Sequence, residues 1–467
     1  MIYLLLTSFF YSDVIYRLPV GSYGYVLISD IVSWVVIFFI LFRNMFIRIK
    51  ARKFDRLDWS LLVLNILMFL LLIQIYFTAV RTFSELGRAA ADTLRFTQFI
   101  VCFYAVRSYM RASSKAVRYL IWVFALATAV SVFGLIVDVG MQLPRMYAGI
   151  TINSLRPKEF SAFFTNNHAS ASIYLLAAFS LGFGLMLMKK NPMLKGLAVS
   201  GMAVIILAII FSKSRSGIFG LGISTVFFLL YYIRFRGGSI LAWGGIILMV
   251  VIFGAAGFYS FTDKGVMDRV GISSVEDVQH YERRADYIHS YDRKIGIISI
   301  RSRFQNWKES IGVIRDMSFF IFFGYGVNQQ SYKVNLGGAH NNFMQVIIDL
   351  GIVGLVFFLL FLYEVGKLLR KPRNIGDSDL PYYAMRIGMR CGFFGIIGTA
   401  LTQETFYMVP AMGNFFGFYL ILLAIVENIK EKSVKKEEIP GGQPQQISNA
   451  VYKKYDRAGS SGDGLEH

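Results

Sequence analysis

The chain has 467 residues, of which 55% are hydrophobic and 16% charged, with a mean hydropathy of +0.53 and a formal net charge of +19. A soluble domain carries about 25% charged residues, so this composition excludes an ordinary water-soluble globule. The surplus Lys and Arg sit mostly in short linkers between apolar blocks, where they orient a membrane protein rather than bind nucleic acid.

The two cysteines, Cys102 and Cys391, both lie inside apolar runs and offer neither a disulfide framework nor a metal-binding spacing. Five histidines, one of them the last residue, are too scattered for a His-rich metal site. The N-terminus lacks a basic n-region and an A-x-A site, so a cleavable signal peptide is not expected.

The apolar blocks approach the length of about 20 residues that crosses a bilayer as a helix. They predict an all-α polytopic membrane protein of about twelve spans, near 2–20, 23–43, 59–79, 93–111, 117–139, 168–188, 195–212, 216–233, 240–261, 341–366, 385–404 and 409–428. Asp13 and Arg17 interrupt the first. Arg43 to Arg56 holds six Lys/Arg, Arg107 to Arg118 four, Lys189 to Lys195 three and Lys367 to Arg373 four, with Arg234 and Arg236 forming another group. These are alternate linkers, and the tail "KEKSVKKEE" falls on their side. The positive-inside rule makes them cytoplasmic, together with both termini.

Two of the outward segments are long, roughly 140–167 and 262–340. Connectors beyond about 12–15 residues are usually functional or disordered. The second is rich in aromatics and mixed charge. Within it Phe304, Trp307, Ile311 and Ile314 recur at helical spacing, as expected of an amphipathic helix that lies on the membrane, caps a cavity or packs on its own loop. The expected organisation is one transmembrane domain over 1–430, a flexible cytoplasmic tail over 431–458 and a vector-like remnant over 459–467.

The informative cations are those that disobey this topology. Lys213 and Arg215 sit in the short outward turn "FSKSRSG", and Arg301 and Arg303 stand in the outward loop just before Trp307. Interfacial arginines snorkel to lipid phosphate. Several on one outer face also make an anion site, because a guanidinium binds phosphate as a planar fork.

Three polar clusters open spans on that face: "TNNHAS" with Asn167 and His168, "SRSG" with Arg215, and "AHNNF" with His340 and Asn341. Helix N-termini present unpaired N–H groups that suit anions, and Asn is also a good N-cap, so Asn167 and Asn341 fit either role. Histidine is the side chain suited to proton transfer near neutral pH. Gly324 and Gly326 in "GYG" follow no βαβ pattern and read as a tight turn. Glu404, near the outer end of the eleventh span, is a functional candidate because an ionisable group there is costly. Asp30 and Asp349 read as pairing or capping groups, and Arg386 and Arg390 as anchors.

In this order the motifs resemble the bacterial O-antigen ligases and the related O-antigen and exopolysaccharide polymerases. "HNNFMQVIIDLG" is similar to the pattern H-[N/S/Q]-x9-G, with His340, Asn341 and Gly351. "SRFQNW" resembles an R-x-x-x-W with Arg303 and Trp307, "GYG" the following G-x-G, "SRSG" the short S-R-S turn with Arg215, and "FFTNNHAS" the polar entry with Asn167. The resemblance covers about residues 150–370.

The resemblance implies a metal-independent, inverting membrane glycosyltransferase of GT-C type, without a cofactor. Its donor would be a glycan on undecaprenyl diphosphate at the outer face of the inner membrane. Its acceptor would be a sugar hydroxyl, on lipid A-core for a ligase or on the next lipid-linked repeat for a polymerase. Arg215 and Arg303 would bind the diphosphate, and His340 would act as general base. Asn341, Asn167, Trp307 and Glu404 are expected to line the substrate, with Lys213, Arg301 and Arg156 as further cations. The partners are then the two glycolipids and the bilayer, and no nucleic acid. The motif spacing favours the ligase. A competing class, an anion transporter, would need mid-span charges and repeated or broken helices.

Overall fold

Two helices that are apolar on every side hold the middle of the protein, and the other helices pack around them. The computed structural model describes residues 1–11, 18–19, 25–26, 28–47, 54–78, 83–110, 115–141, 145–147, 150–152, 168–188, 192–212, 214–236, 298–327, 339–370, 380–404, 406 and 414–429, all within the unit Met1–Lys430. The helices are α1 (Ile2–Tyr11), α2 (Ile28–Ile47), α3 (Arg56–Thr78), α4 (Phe83–Tyr109), α5 (Ala116–Gly134), α6 (His168–Leu187), α7 (Pro192–Phe211), α8 (Arg215–Arg236), α9 (Ile298–Asp316), α10 (Asn342–Leu368), α11 (Leu380–Ala400) and α12 (Phe415–Glu427). Two antiparallel ribbons depart from the all-α expectation: β1 (Leu18–Pro19) with β2 (Tyr25–Val26), and β3 (Arg145–Tyr147) with β4 (Ile150–Ile152).

Every expected span except 240–261, which lies outside the described residues, contains a described helix. Five stretches are long and apolar enough to cross a membrane: Arg56–Tyr76, Ala116–Gly140, Pro192–Phe211, Arg215–Ile233 and Asn342–Leu368. Their outward faces carry large apolar groups such as Ile66, Leu70, Leu197, Leu207, Val356 and Leu359. Water would penalise such faces; lipid does not. The protein is a helical membrane protein.

The helices α6 and α12 are buried almost throughout, from Ala171 to Leu185 and from Phe415 to Val426, as a helix that is hydrophobic all round must be. α6 packs on α11, α7 and α5, and α12 on α4, α5 and α6. Small residues bring α11 close to its neighbours. A Cβ at Gly388 would stand 2.4 Å from the carbonyl oxygen of Ser180 on α6, and one at Gly395 would stand 2.5 Å from that of Gly220 on α8. Small-residue contacts of this kind drive helix packing where lipid is as apolar as the core.

Polar pairs fix the bundle in register. Asp30 on α2 accepts from Arg95 Nε on α4 at 3.1 Å and from Asn414 Nδ2 before α12 at 2.9 Å, which fulfils the pairing expected of Asp30. Arg386 caps the C-terminus of α12, donating to the carbonyl of Glu427 at 3.1 Å. Arg107, at the end of α4, is 1% exposed and faces three carboxylates: Asp55, Asp58 and Glu427.

The helix α9 forms, and the part of its apolar stripe within the described side chains is only partly turned inward. Ser310, Val313 and Met317 are buried and Ile311 is 55% exposed, with Trp307 and Ile314 half-buried. The reason is its partner. α9 packs on α10, where Val313 and Met317 join Ala339 and Ile348 in a small apolar cluster. The hydroxyl of Ser310 takes the innermost position that an apolar stripe would assign to an aliphatic group.

Candidate functional site

α10 begins with a cap and contains a break. The side-chain oxygen of Asn341 accepts from the N–H groups of Phe343 at 2.9 Å and Met344 at 3.1 Å, the bonding of a helix N-cap. Its amide donates to the Leu401 carbonyl at 3.0 Å. Asn341 therefore does capping work at both of its side-chain atoms. The break is at Gly351, with φ +69 and ψ −171.

The GYG turn fits into that break. The N–H groups of Tyr325 and Gly326 donate to the carbonyls of Ile348 at 2.8 Å and Asp349 at 2.9 Å, and Val353 N–H donates back to the Phe322 carbonyl at 3.2 Å. A broken helix in lipid leaves backbone groups that must find partners within the protein, and the turn supplies them. Gly324 and Gly326 both have positive φ, +81 and +99. The tight turn read from the sequence thus clamps the kink that ends the first half of α10. Within that half, Gln345 donates to Asp349 Oδ2 at 3.0 Å and accepts from Ala339 N–H at 3.1 Å. Asp349 is therefore part of the internal bracing of the half-helix.

His340 stands immediately before the cap in the left-handed region, φ +48, a conformation uncommon for non-glycine residues but more frequent for histidine. Its backbone N–H donates to Glu404 Oε1, and its Nδ1 lies 3.6 Å from Glu404 Oε2. Its carbonyl accepts from the indole N–H of Trp307 on α9 at 3.4 Å. The ring is 39% exposed although Nδ1 itself is buried, so its open part lies on the edges away from Nδ1.

The turn after α11 links this histidine to Arg215. Gln403 accepts from Ser216 Oγ at 2.5 Å. Ser216 follows Arg215 at the start of α8, and its hydroxyl lies 3.1 Å from that of Ser214. Ser214 caps α8 by accepting from Gly217 N–H at 3.2 Å, and Ser172 near the start of α6 donates to it at 3.0 Å. Arg215 is 7% exposed. Hydrogen-bonded side chains therefore join the start of α6, the SRS turn and Gln403 in the turn after α11, and the next residue of that turn, Glu404, meets the AHNN entry to α10.

This places the expected residues as follows. His340, Asn341 and Glu404 come together where α10 begins and α11 ends, with Trp307 reaching them from the middle of α9, and Arg215 stands at the start of α8 beside Ser216, which bonds Gln403 of the same turn. Arg301 and Arg303 lie on α9 ahead of Trp307, and their side chains fall outside the described residues, as do Lys213, Asn167 and Arg156 entirely. Sequence reasoning missed Ser172, Ser214, Ser216 and Gln403. The signal available was a polar residue at the end of each apolar run, with no indication of which ends meet.

The fold and the site together define a helical membrane protein whose polar residues gather where helices begin and end. Residues 200–359 match the family model described as O-antigen ligase, a segment that runs from α7 into α10 and contains Arg215, Arg303 and His340. The match supports the assignment to the O-antigen ligase and polymerase family that the ordered motifs imply. No curated protein matches the chain.

Proposed function

We propose that this protein is a membrane glycosyltransferase that moves a glycan from undecaprenyl diphosphate to a sugar hydroxyl on lipid A-core, as an O-antigen ligase. The observation that carries the reading is that the turn after α11 meets both motifs: Gln403 accepts from Ser216, the neighbour of Arg215, and the adjacent Glu404 accepts from His340 N–H. It brings a guanidinium and a proton acceptor to one cluster of helix ends within a family of this chemistry.

In the proposed reaction the acceptor oxygen attacks the anomeric carbon of the donor while His340 takes the hydroxyl proton. The carbon–oxygen bond to the diphosphate breaks, and its electron pair leaves on the diphosphate oxygen. Arg215 and Arg303 stabilise that growing charge. Pre-placed donors aimed at developing charge act without reorganising, and a single base suffices for one inverting displacement. Asn167, Lys213, Arg301 and Arg156 are assigned to hold the lipid diphosphate, and Trp307 to frame the acceptor side. The topology belonging to this reading has twelve spans over residues 1–430, both termini in the cytoplasm and the site at the outer face of the inner membrane.

Membranes carrying the wild type, Arg215→Ala or His340→Ala, supplied with lipid-linked glycan and lipid A-core, test the reading. Arg215→Ala is expected to lower the rate by about 10²–10³-fold and His340→Ala by about 10²–10⁴-fold. Transfer at the wild-type rate in both variants would overturn it. The same membranes given lipid-linked repeats alone separate ligase from polymerase: no lengthening is expected, and a ladder of longer lipid-linked products would make the protein a polymerase.

A further inference from the structure

Glu404 lies 45 residues beyond the end of the matched family segment at 359, and its surroundings are unusual. It is 7% exposed and follows the end of α11 in a turn. Among the described residues its partner is His340, which it meets twice. One carboxylate oxygen accepts the backbone N–H, and the other lies 3.6 Å from ring Nδ1. The turn that carries it is pinned to the start of α10 on either side, by Asn341 Nδ2 to the Leu401 carbonyl at 3.0 Å and by Phe406 N–H to Asn342 Oδ1 at 3.3 Å. From the other direction the Trp307 indole holds the His340 carbonyl. The histidine backbone is thus held from two segments, the turn after α11 and α9, and its ring is left with one buried nitrogen facing one carboxylate.

We propose that Glu404 is a positioning residue for proton transfer at His340: it orients the ring with Nδ1–H toward its carboxylate, leaving Nε2 for the acceptor hydroxyl, and it stabilises the imidazolium. The inference rests on the reading of His340 as the base. A buried carboxylate needs hydrogen-bonded or charged partners. The backbone N–H satisfies one oxygen, and a protonated Nδ1 satisfies the other. The 3.6 Å separation is just beyond a hydrogen bond, and contacts of this kind tighten when substrate is bound. A ring nitrogen that donates to a carboxylate fixes the tautomer and makes the other nitrogen the acceptor. The proton balance closes: the hydroxyl proton moves to Nε2 as the acceptor oxygen bonds to the anomeric carbon, Nδ1–H stays on its carboxylate, and water takes the Nε2 proton after product leaves.

A glutamate that only capped the His340 backbone would be replaced well by glutamine, which keeps the acceptor oxygen and removes the charge. Glu404→Gln in the full chain, assayed with lipid-linked glycan and acceptor, is therefore the test. The expected result is kcat lower by roughly 10- to 10²-fold, within what a positioned acid–base group contributes, with the donor KM held. Among the described residues the groups that meet His340 are Glu404 and Trp307, so the carboxylate is the charged one. In a His340→Gln background, Glu404→Gln is expected to cost nothing further.

Wild-type kcat in Glu404→Gln, while His340→Ala is inactive, would overturn this inference and leave the base assignment standing. An active His340→Ala would remove both. Should Glu404→Gln not fold, Glu404→Asp carries the test. It retracts the charge by one methylene, kcat is expected to fall with KM held, and wild-type kcat would overturn the proposal.

Discussion

Arg107→Ala is expected to lower the unfolding free energy by about 3–5 kcal/mol, the usual cost of removing one partner from a buried charge cluster. The guanidinium is 1% exposed. It binds Glu427 through Nε at 2.5 Å and Nη2 at 2.8 Å, Asp55 through Nη2 at 2.6 Å, and Asp58 through Nη1. These carboxylates come from before α3, from its first turn and from the end of α12, so one side chain closes α3, α4 and α12 together. Asp55 and Asp58 also cap each other's backbone N–H groups, at 2.9 and 3.0 Å. Without the arginine, Asp58 at 1% exposure and Glu427 at 17% lose their cationic partner in a poorly hydrated place. Against a total stability of about 5–15 kcal/mol the loss is large. Arg107→Lys should recover only part of it, since an ammonium cannot make the forked contacts. Thermal unfolding in detergent is the measurement. A midpoint for Arg107→Ala equal to the wild type would show that the cluster does not hold the bundle.

Gly351→Ala is expected to damage both stability and transfer. At φ +69 and ψ −171 the backbone lies in a region reserved for glycine, where another residue costs of order 1–3 kcal/mol. A Cβ there would also stand 2.3 Å from the carbonyl carbon and oxygen of Phe322, and one at Gly324 would stand 2.3 Å from those of Asp349. These are backbone atoms, so the turn and the kink must separate. Each buried carbonyl orphaned by that movement costs about 1–3 kcal/mol more. Gly366→Ala in the same helix is the control. It meets only the Phe393 ring, at an ordinary 3.6 Å, and is expected to be neutral or slightly stabilising. Glycan transfer should fall in Gly351→Ala because His340 and Asn341 are carried by the half-helix that the clamp positions. Equal thermal midpoints and rates for the two variants would refute the clamp.

The motifs from Arg215 to Gly351 were legible in the sequence because each is local, and the family match covers the same stretch. Asn341 was legible as a cap, and the GYG pair as a turn. The target of that turn was not, since Gly324 meets Asp349 across 25 positions of chain. Helical spacing shows which residues of α9 share a face, and only the contact with α10 selects the face that turns inward. Glu404 was picked out as an ionisable group near a span end. Its attachment to His340, 64 positions away, required the fold.

The sequence by itself determined the membrane class, the described helices and the ordered polar motifs, because hydropathy over about 20 residues and short-range capping are local properties. The tertiary structure alone decided which helix faces are buried and which helix ends meet. Lipid and protein core are equally apolar, so hydropathy cannot rank the sides of a membrane helix. That choice falls to close glycine contacts, to the cluster at Arg107 and to the clamp at Gly351, each made between residues far apart in the chain.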